Sequence, residues 1–184
     1  MAIDWEAIAT QVGDLNWHGN VRRGSGTDSG RRALEILLGE ENLRDAVDYF
    51  ISLEPGWDTA EMVMKIIRSK IAMAHCLEIY KSEPGTERAC SAIFVLGSFA
   101  DRTALPWVGD FLGDSNVAVR LNGLRVLQNI LYDFSTLSDE QLSTAKELLK
   151  RTESDPDPAV QERAAEIRTW LNEDDQEHGE PMQN

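Results

Sequence analysis

Apolar residues recur along this chain at helical spacing almost throughout, and no segment shows the sustained polar and apolar alternation of β-branched residues that a half-buried strand requires. The pattern predicts an all-α protein. A short first helix is expected over 2–12, followed by a glycine-rich connection over 13–30 that holds Gly13, Gly19, Gly24, Gly26 and Gly30. Further helices are expected near 31–38, 42–53, 58–81, 87–99, 103–112, 116–132, 139–151 and 158–171, the third of these breaking around Ser69. The boundaries carry capping chemistry. Asp58-Thr59-Ala60-Glu61 and Ser138-Asp139-Glu140-Gln141 read as N-caps with a reciprocal acceptor three residues on. Asp157 precedes Pro158, which suits the first helical position. Gly113 and Pro55-Gly56 end helices, so the links are a few residues long and consecutive helices run antiparallel.

An internal repeat is the most informative signal. Placing Ala89, Arg120 and Gln161 in register aligns the small residues Ala92, Gly123 and Ala164, where helices can approach closely. The segments between also recur. Leu112-Gly113-Asp114-Ser115-Asn116-Val117-Ala118-Val119-Arg120 leads into a long apolar helix, and Asp155-Pro156-Asp157-Pro158-Ala159-Val160 repeats its turn. Together with Leu96-Gly97 and the short helix that follows, these segments resemble the HEAT-like repeats of phycobilisome-lyase-type proteins. The resemblance covers about 85–175 and is weaker over 31–82. It departs at Gln161, where the usual arginine is missing, so the last repeat reads as a cap. The resemblance implies a right-handed α-solenoid of antiparallel helix pairs that binds proteins, and it implies no activity by itself. The expected organisation is an N-terminal helix and connection over 1–30, a repeat domain over 31–172, and an acidic tail over 173–184.

Within 116–132, Leu121, Leu124, Leu127 and Leu131 are expected to pack inward, leaving Asn122, Arg125 and Asn129 on an outward polar stripe. Carrying the register to neighbouring helices adds Ser91 and Phe94 on one side and Arg163, Glu166 and Trp170 on the other. An earlier helix adds Glu61, Lys65 and Arg68. These eleven residues are the candidate partner-binding surface, with Phe94 or Trp170 as the aromatic anchor.

The 184 residues are 42% hydrophobic and 27% charged, a balance that suits one soluble domain with a real core. Eighteen basic side chains stand against 32 acidic ones, a net charge of −14. That excess disfavours nucleic acid and anionic lipid and favours a basic protein partner. It is uneven: residues 1–132 carry a net of −5 and residues 133–184 a net of −9. No leader pattern and no apolar run of bilayer-spanning length is present, which makes the cytoplasm the default location.

Candidate chemistry is sparse. His18, His75 and His178 are scattered, and His75 and Cys76 point about 100° apart on a helix, so no metal set forms and no catalytic residue or cofactor is expected. Cys76 and Cys90 read as reduced core thiols. Most carboxylates, among them Asp58, Asp114, Asp139 and Asp157, read as helix caps or first-turn residues that favour the positive end of the helix dipole. Trp5, Trp17, Trp57 and Trp107 read as core or capping residues, Trp17 being the most exposed by context. The basic segment Arg22 to Arg32 lacks the spacing of a phosphate-binding loop and reads as a linker whose glycine amides could hold an anion. The functional expectation is a non-enzymatic binding protein, in its concrete form an immunity-type inhibitor that captures a basic toxin or nuclease. The alternatives are a bilin-lyase-like enzyme, or a generic adaptor.

Overall fold

The computed structural model describes residues 26–133 and 136–178, with side chains over 29–133 and 136–171. Eight α-helices are present among them: α1 (Gly26–Ser52), α2 (Trp57–Ile67), α3 (Lys70–Ser82), α4 (Glu87–Phe99), α5 (Leu105–Leu112), α6 (Val117–Leu131), α7 (Asp139–Thr152) and α8 (Pro158–His178). A 3₁₀ turn, Arg102–Ala104, leads into α5. No described residue lies in a strand.

The helices stack as two rows. An even row of α2, α4, α6 and α8 packs consecutively, while α1 lies against α3 and α5 against α7 behind it. This is an all-α solenoid of antiparallel helix pairs. Its core runs the length of the stack through Phe50, Met64, Met73, Leu96, Phe99, Phe111, Leu124, Leu127 and Ile130, all essentially inaccessible to solvent. Leu124, Leu127 and Leu131 of α6 point into it as expected, with Leu121 half-buried.

Local chemistry explains most boundaries. Gly39, at φ +77°, breaks α1 at the point where the pattern separates 31–38 from 42–53. Ser69 breaks the 58–81 stretch by capping α3, its hydroxyl accepting from the Ala72 amide. Ser138 and Gln141 form the expected capping box, and Asp157 accepts from the Ala159 amide beside Pro158. Asp58 is different: Gly56, at φ +102°, takes the N-cap position of α2, and Asp58 lies in the first turn bonded to the Thr59 amide. Two ends also differ. The first described helix starts at Gly26 rather than 31, and α8 continues to His178 rather than ending at 171. The expected helix over 2–12 and the residues Trp5, Trp17, His18, Arg22 and Arg23 lie outside the described residues.

The repeated turn is the joint of the stack. Asp114 Oδ1 accepts from the Asn116 amide at 2.7 Å, and Asn116 Oδ1 accepts from the Ala118 amide at 2.9 Å. One repeat later Asp155 Oδ1 accepts from the Asp157 amide and Asp157 Oδ1 from the Ala159 amide, each at 2.9 Å. Arg120 ties the two turns together. Its Nη1 donates to the carbonyls of Asp114 (2.9 Å) and Ser115 (3.3 Å), while Nη2 lies 2.9 Å from Asp155 Oδ1 and Nε 2.8 Å from Oδ2. Tyr80 joins from the preceding pair, its hydroxyl donating to Asp114 Oδ2 at 2.7 Å. Gln161 occupies the Arg120 position and keeps the bond within its own turn, Nε2 to the Asp155 carbonyl at 2.6 Å.

Close approach completes the joint. A Cβ on Gly123 would stand 2.8 Å from Phe111 Cβ, so α6 packs against α5 with no room for a methyl group; Ala92 and Ala164, its register equivalents, are fully buried.

Two stability predictions follow from this joint. Arg120→Met leaves the Asp155 carboxylate buried without a counter-charge and lowers stability by about 3–5 kcal/mol, whereas Gln161→Met loses one neutral bond and costs about 1 kcal/mol. Gly123→Ala lowers stability by about 1–2 kcal/mol through overpacking, although helix propensity alone would raise it by roughly 1 kcal/mol. Urea unfolding midpoints at constant slope measure all three.

Candidate functional site

All eleven candidate residues fall on the even row or at its helix ends. Glu61 and Lys65 pair at 2.8 Å on the surface of α2. Arg68 follows as the C-cap of α2 in the left-handed region, at φ 48°, and its Nη1 lies 3.0 Å from Asp133 Oδ2 just beyond α6. On α4, Ser91 is half-buried and Phe94 is 42% exposed. On α8, Arg163 donates to Glu166 Oε2 at 2.6 Å and to Gln128 Oε1 of α6. Trp170 packs against Tyr132 with ring centroids 4.5 Å apart.

The centre of the row is an aromatic and cation pair. The Arg125 guanidinium carbon sits 4.1 Å from the centre of the Phe94 ring. Its Nη2 donates to Ser98 Oγ at 2.9 Å, and its stem packs where a Cβ on Gly97 would stand. Burial lowers the Arg125 pKa, opposed by the Glu61 carboxylate and reinforced by the Arg163 charge, so α2 and α8 both act on this one group of α6. A half-buried guanidinium over an aromatic face is a cation–π pair, partly shielded from water.

Asn122, Arg125 and Asn129 do not form the solvent-facing stripe expected of them. Asn122 donates to the Cys90 carbonyl at 3.2 Å, and Asn129 to the Ala100 carbonyl at 2.8 Å, so with Arg125 they fasten α6 to α4. The cause is geometric: in a row of stacked helices the flanks of each helix meet its neighbours, and only the ridge between the flanks stays open. Asn129 meets the C-cap residue of α4, whose carbonyl has no partner within the helix.

Periodicity missed four exposed apolar side chains on this row: Met62 at 56%, Val63 at 36%, Ile66 at 59% and Tyr132 at 57%. Met62 and Ile66 lie one turn apart on the charged side of α2, away from Met64 and Ile67, and that misplacement in the apolar pattern was the available signal. Trp57 stacks on Phe50 and Trp107 packs against the core, as read.

The row holds little that could do covalent chemistry. Burial pushes the thiol of Cys76 well up, and burial does the same to Cys90, so both stay protonated and poorly nucleophilic. His75 is buried with Nε2 3.2 Å from Asp48 Oδ1. No group of three His, Cys, Asp or Glu side chains able to hold a metal lies among the described residues. No described helix is long and apolar enough to cross a membrane.

Comparison with known proteins gives one family. The model for HEAT repeats matches residues 73–167, just over half of the chain and including both Asp-anchored turns. No curated protein and no solved structure matches the chain significantly.

Asn129→Ala is expected to lower stability by about 1 kcal/mol, because the Ala100 carbonyl loses its partner, where a solvated asparagine would change it by less than about 0.5 kcal/mol. Urea denaturation of the variant measures the difference.

Proposed function

The chain belongs to the HEAT repeat family, and on that premise we propose that it is a non-catalytic binding protein whose partner docks across the even row, centred on Phe94 and Arg125. HEAT repeats suggest a protein-interaction scaffold. The observation that carries the docking site is the exposed Phe94 ring held under the Arg125 guanidinium at 4.1 Å in the middle of the row. Aromatic and arginine side chains fixed in place contribute most per residue at protein interfaces, because little side-chain entropy is lost when the partner arrives. Arg125 meets that condition, being bonded to Ser98 before any partner is bound. Tyr132 with Trp170, and Met62 with Ile66, add apolar contact area along the same row.

The partner is basic. The net charge of −14 speeds capture of a positively charged protein and slows its escape at low salt. In its concrete form the protein is an immunity-type inhibitor that covers the active site or substrate groove of a basic toxin or nuclease. The raised thiols of Cys76 and Cys90 support the non-catalytic part of this reading.

Immobilised wild-type protein and a Phe94→Asp variant, exposed side by side to one lysate, test the proposal. The expected result is a basic protein enriched at least about tenfold on the wild type and lost from the variant, since a central aromatic contributes upwards of 1–2 kcal/mol. Phe94 is exposed enough that the variant keeps the wild-type circular dichroism spectrum. Identical profiles on both resins reject the site, and a captured enzyme whose activity is unchanged by the protein rejects inhibition.

A further inference from the structure

One cleft reverses the charge of the rest of the molecule. It has a volume of about 430 Å³ and is lined by Arg31, Arg32, Arg68, Lys70 and Arg102, with Glu35 and Asp101 opposing them and Ile67 and Thr103 completing the wall. Five of the chain's 18 basic side chains meet there, in a protein that carries 32 acidic ones. Asp133, which pairs with Arg68 from outside the lining, is a third carboxylate, and among the described residues cations outnumber carboxylates there.

Three of the five cations are held in position. Arg31 Nε donates to the Ile66 carbonyl at 3.0 Å, and Arg102 Nη1 to the Thr136 carbonyl at 2.6 Å. Arg68 sits in the left-handed region, where a non-glycine residue is strained, and its Nη1 is fixed by Asp133. A guanidinium carries five N–H groups, so one anchoring bond orients Arg68 or Arg102 and leaves most of the fork for a second acceptor. The two opposing carboxylates already have structural work. Glu35 Oε1 accepts from the Ser69 hydroxyl at 2.5 Å at the start of α3, and Asp101 caps the 3₁₀ turn by accepting from the Thr103 amide.

We propose that this cleft binds a short acidic segment of a partner protein, two or three neighbouring carboxylate side chains entering among Arg31, Arg32, Arg68, Lys70 and Arg102. The volume falls in the range of sites that enclose a ligand of several functional groups, about 300–1,000 Å³, rather than one small ion. Planar carboxylates match arginine forks two bonds at a time. The cations come from α1, from the C-cap of α2 with the first residue of α3, and from the 3₁₀ turn between α4 and α5. An extended peptide reaches all three places at once. A long polyanion such as nucleic acid does not suit the site, because its charges would run past the cleft onto an acidic surface. The inference goes beyond the docking row of the previous subsection, uses ligand chemistry of the opposite sign, and fails independently of it: Phe94→Asp leaves the cleft intact.

Fluorescence anisotropy of a labelled hexaglutamate peptide with the full chain tests it. Saturable binding is expected, weakening about fivefold or more between low and roughly 0.3 M salt as the charges are screened. The double variant Arg32→Glu with Lys70→Glu should weaken it at least tenfold; both side chains are exposed, and circular dichroism verifies that the fold is kept. Lys81→Glu, at the far end of α3, should leave binding unchanged. The proposal is overturned by absence of saturable binding, by equal loss in the Lys81 variant, or by pyrophosphate or single-stranded DNA binding where hexaglutamate does not.

Discussion

Arg120 and Asp155 bury opposite charges at 7% and 9% exposure, and the rest of the stack depends on how that burial is satisfied. A buried pair is a weak source of net stability, because desolvating both ions offsets most of their attraction. Its force lies in geometry. The Arg120 guanidinium bonds two carbonyls of its own turn and Oδ1 of the next turn's carboxylate, with Nε 2.8 Å from Oδ2, so it is paired only when α8 begins at one height relative to α6. Any slip between repeats strands a charge in the core. The close contact of Gly123 with Phe111 adds the second coordinate, fixing how deep α6 sits against α5. Register and depth together place the even row, and with it Phe94, Arg125 and Trp170.

The terms of this joint were open to reading in the residues, because they are local or repeated. Asn116, Ser138 and Asp157 cap the helices that follow them, Gly39 and Ser69 break helices where the apolar pattern faltered, and Ala92, Gly123 and Ala164 share one buried register. The missing arginine at Gln161 also has a structural meaning: the turn bond survives in the glutamine, while the second half of the Arg120 function, reaching the next turn, is dropped. Asp58 shows the limit of local reading. Its sequence looks like a cap, yet the left-handed backbone at Leu53 and Gly56 tightens the turn and moves the helix start ahead of it.

The polar stripe on α6 was legible as a stripe and not as a contact. Periodicity reports the angle of a side chain about its own helix axis; it says nothing about which neighbour stands at that angle. Asn122 and Asn129 lie on the flank that meets α4, and their amides end on backbone carbonyls of Cys90 and Ala100. Phe94 escapes this fate because it rides the ridge, where Arg125 covers one side of its ring from the adjoining helix. The open ridge of the row is therefore narrower than its eleven candidates, and its middle is built by the residues that hold the row together.

Net charge was the least transferable reading, because it averages over positions that folding separates. Arg31, Arg68 and Arg102 are more than 30 residues apart in turn, only the first of them in a conspicuously basic stretch, and the stacking of helix pairs brings them to one cleft. Arg68 belongs to that cleft and to the even row alike: it ends α2, and through Asp133 it is fastened beside Tyr132 at the end of α6. One arginine thus both lines the cleft and fastens α2 to the end of α6, next to the Tyr132 and Trp170 rings.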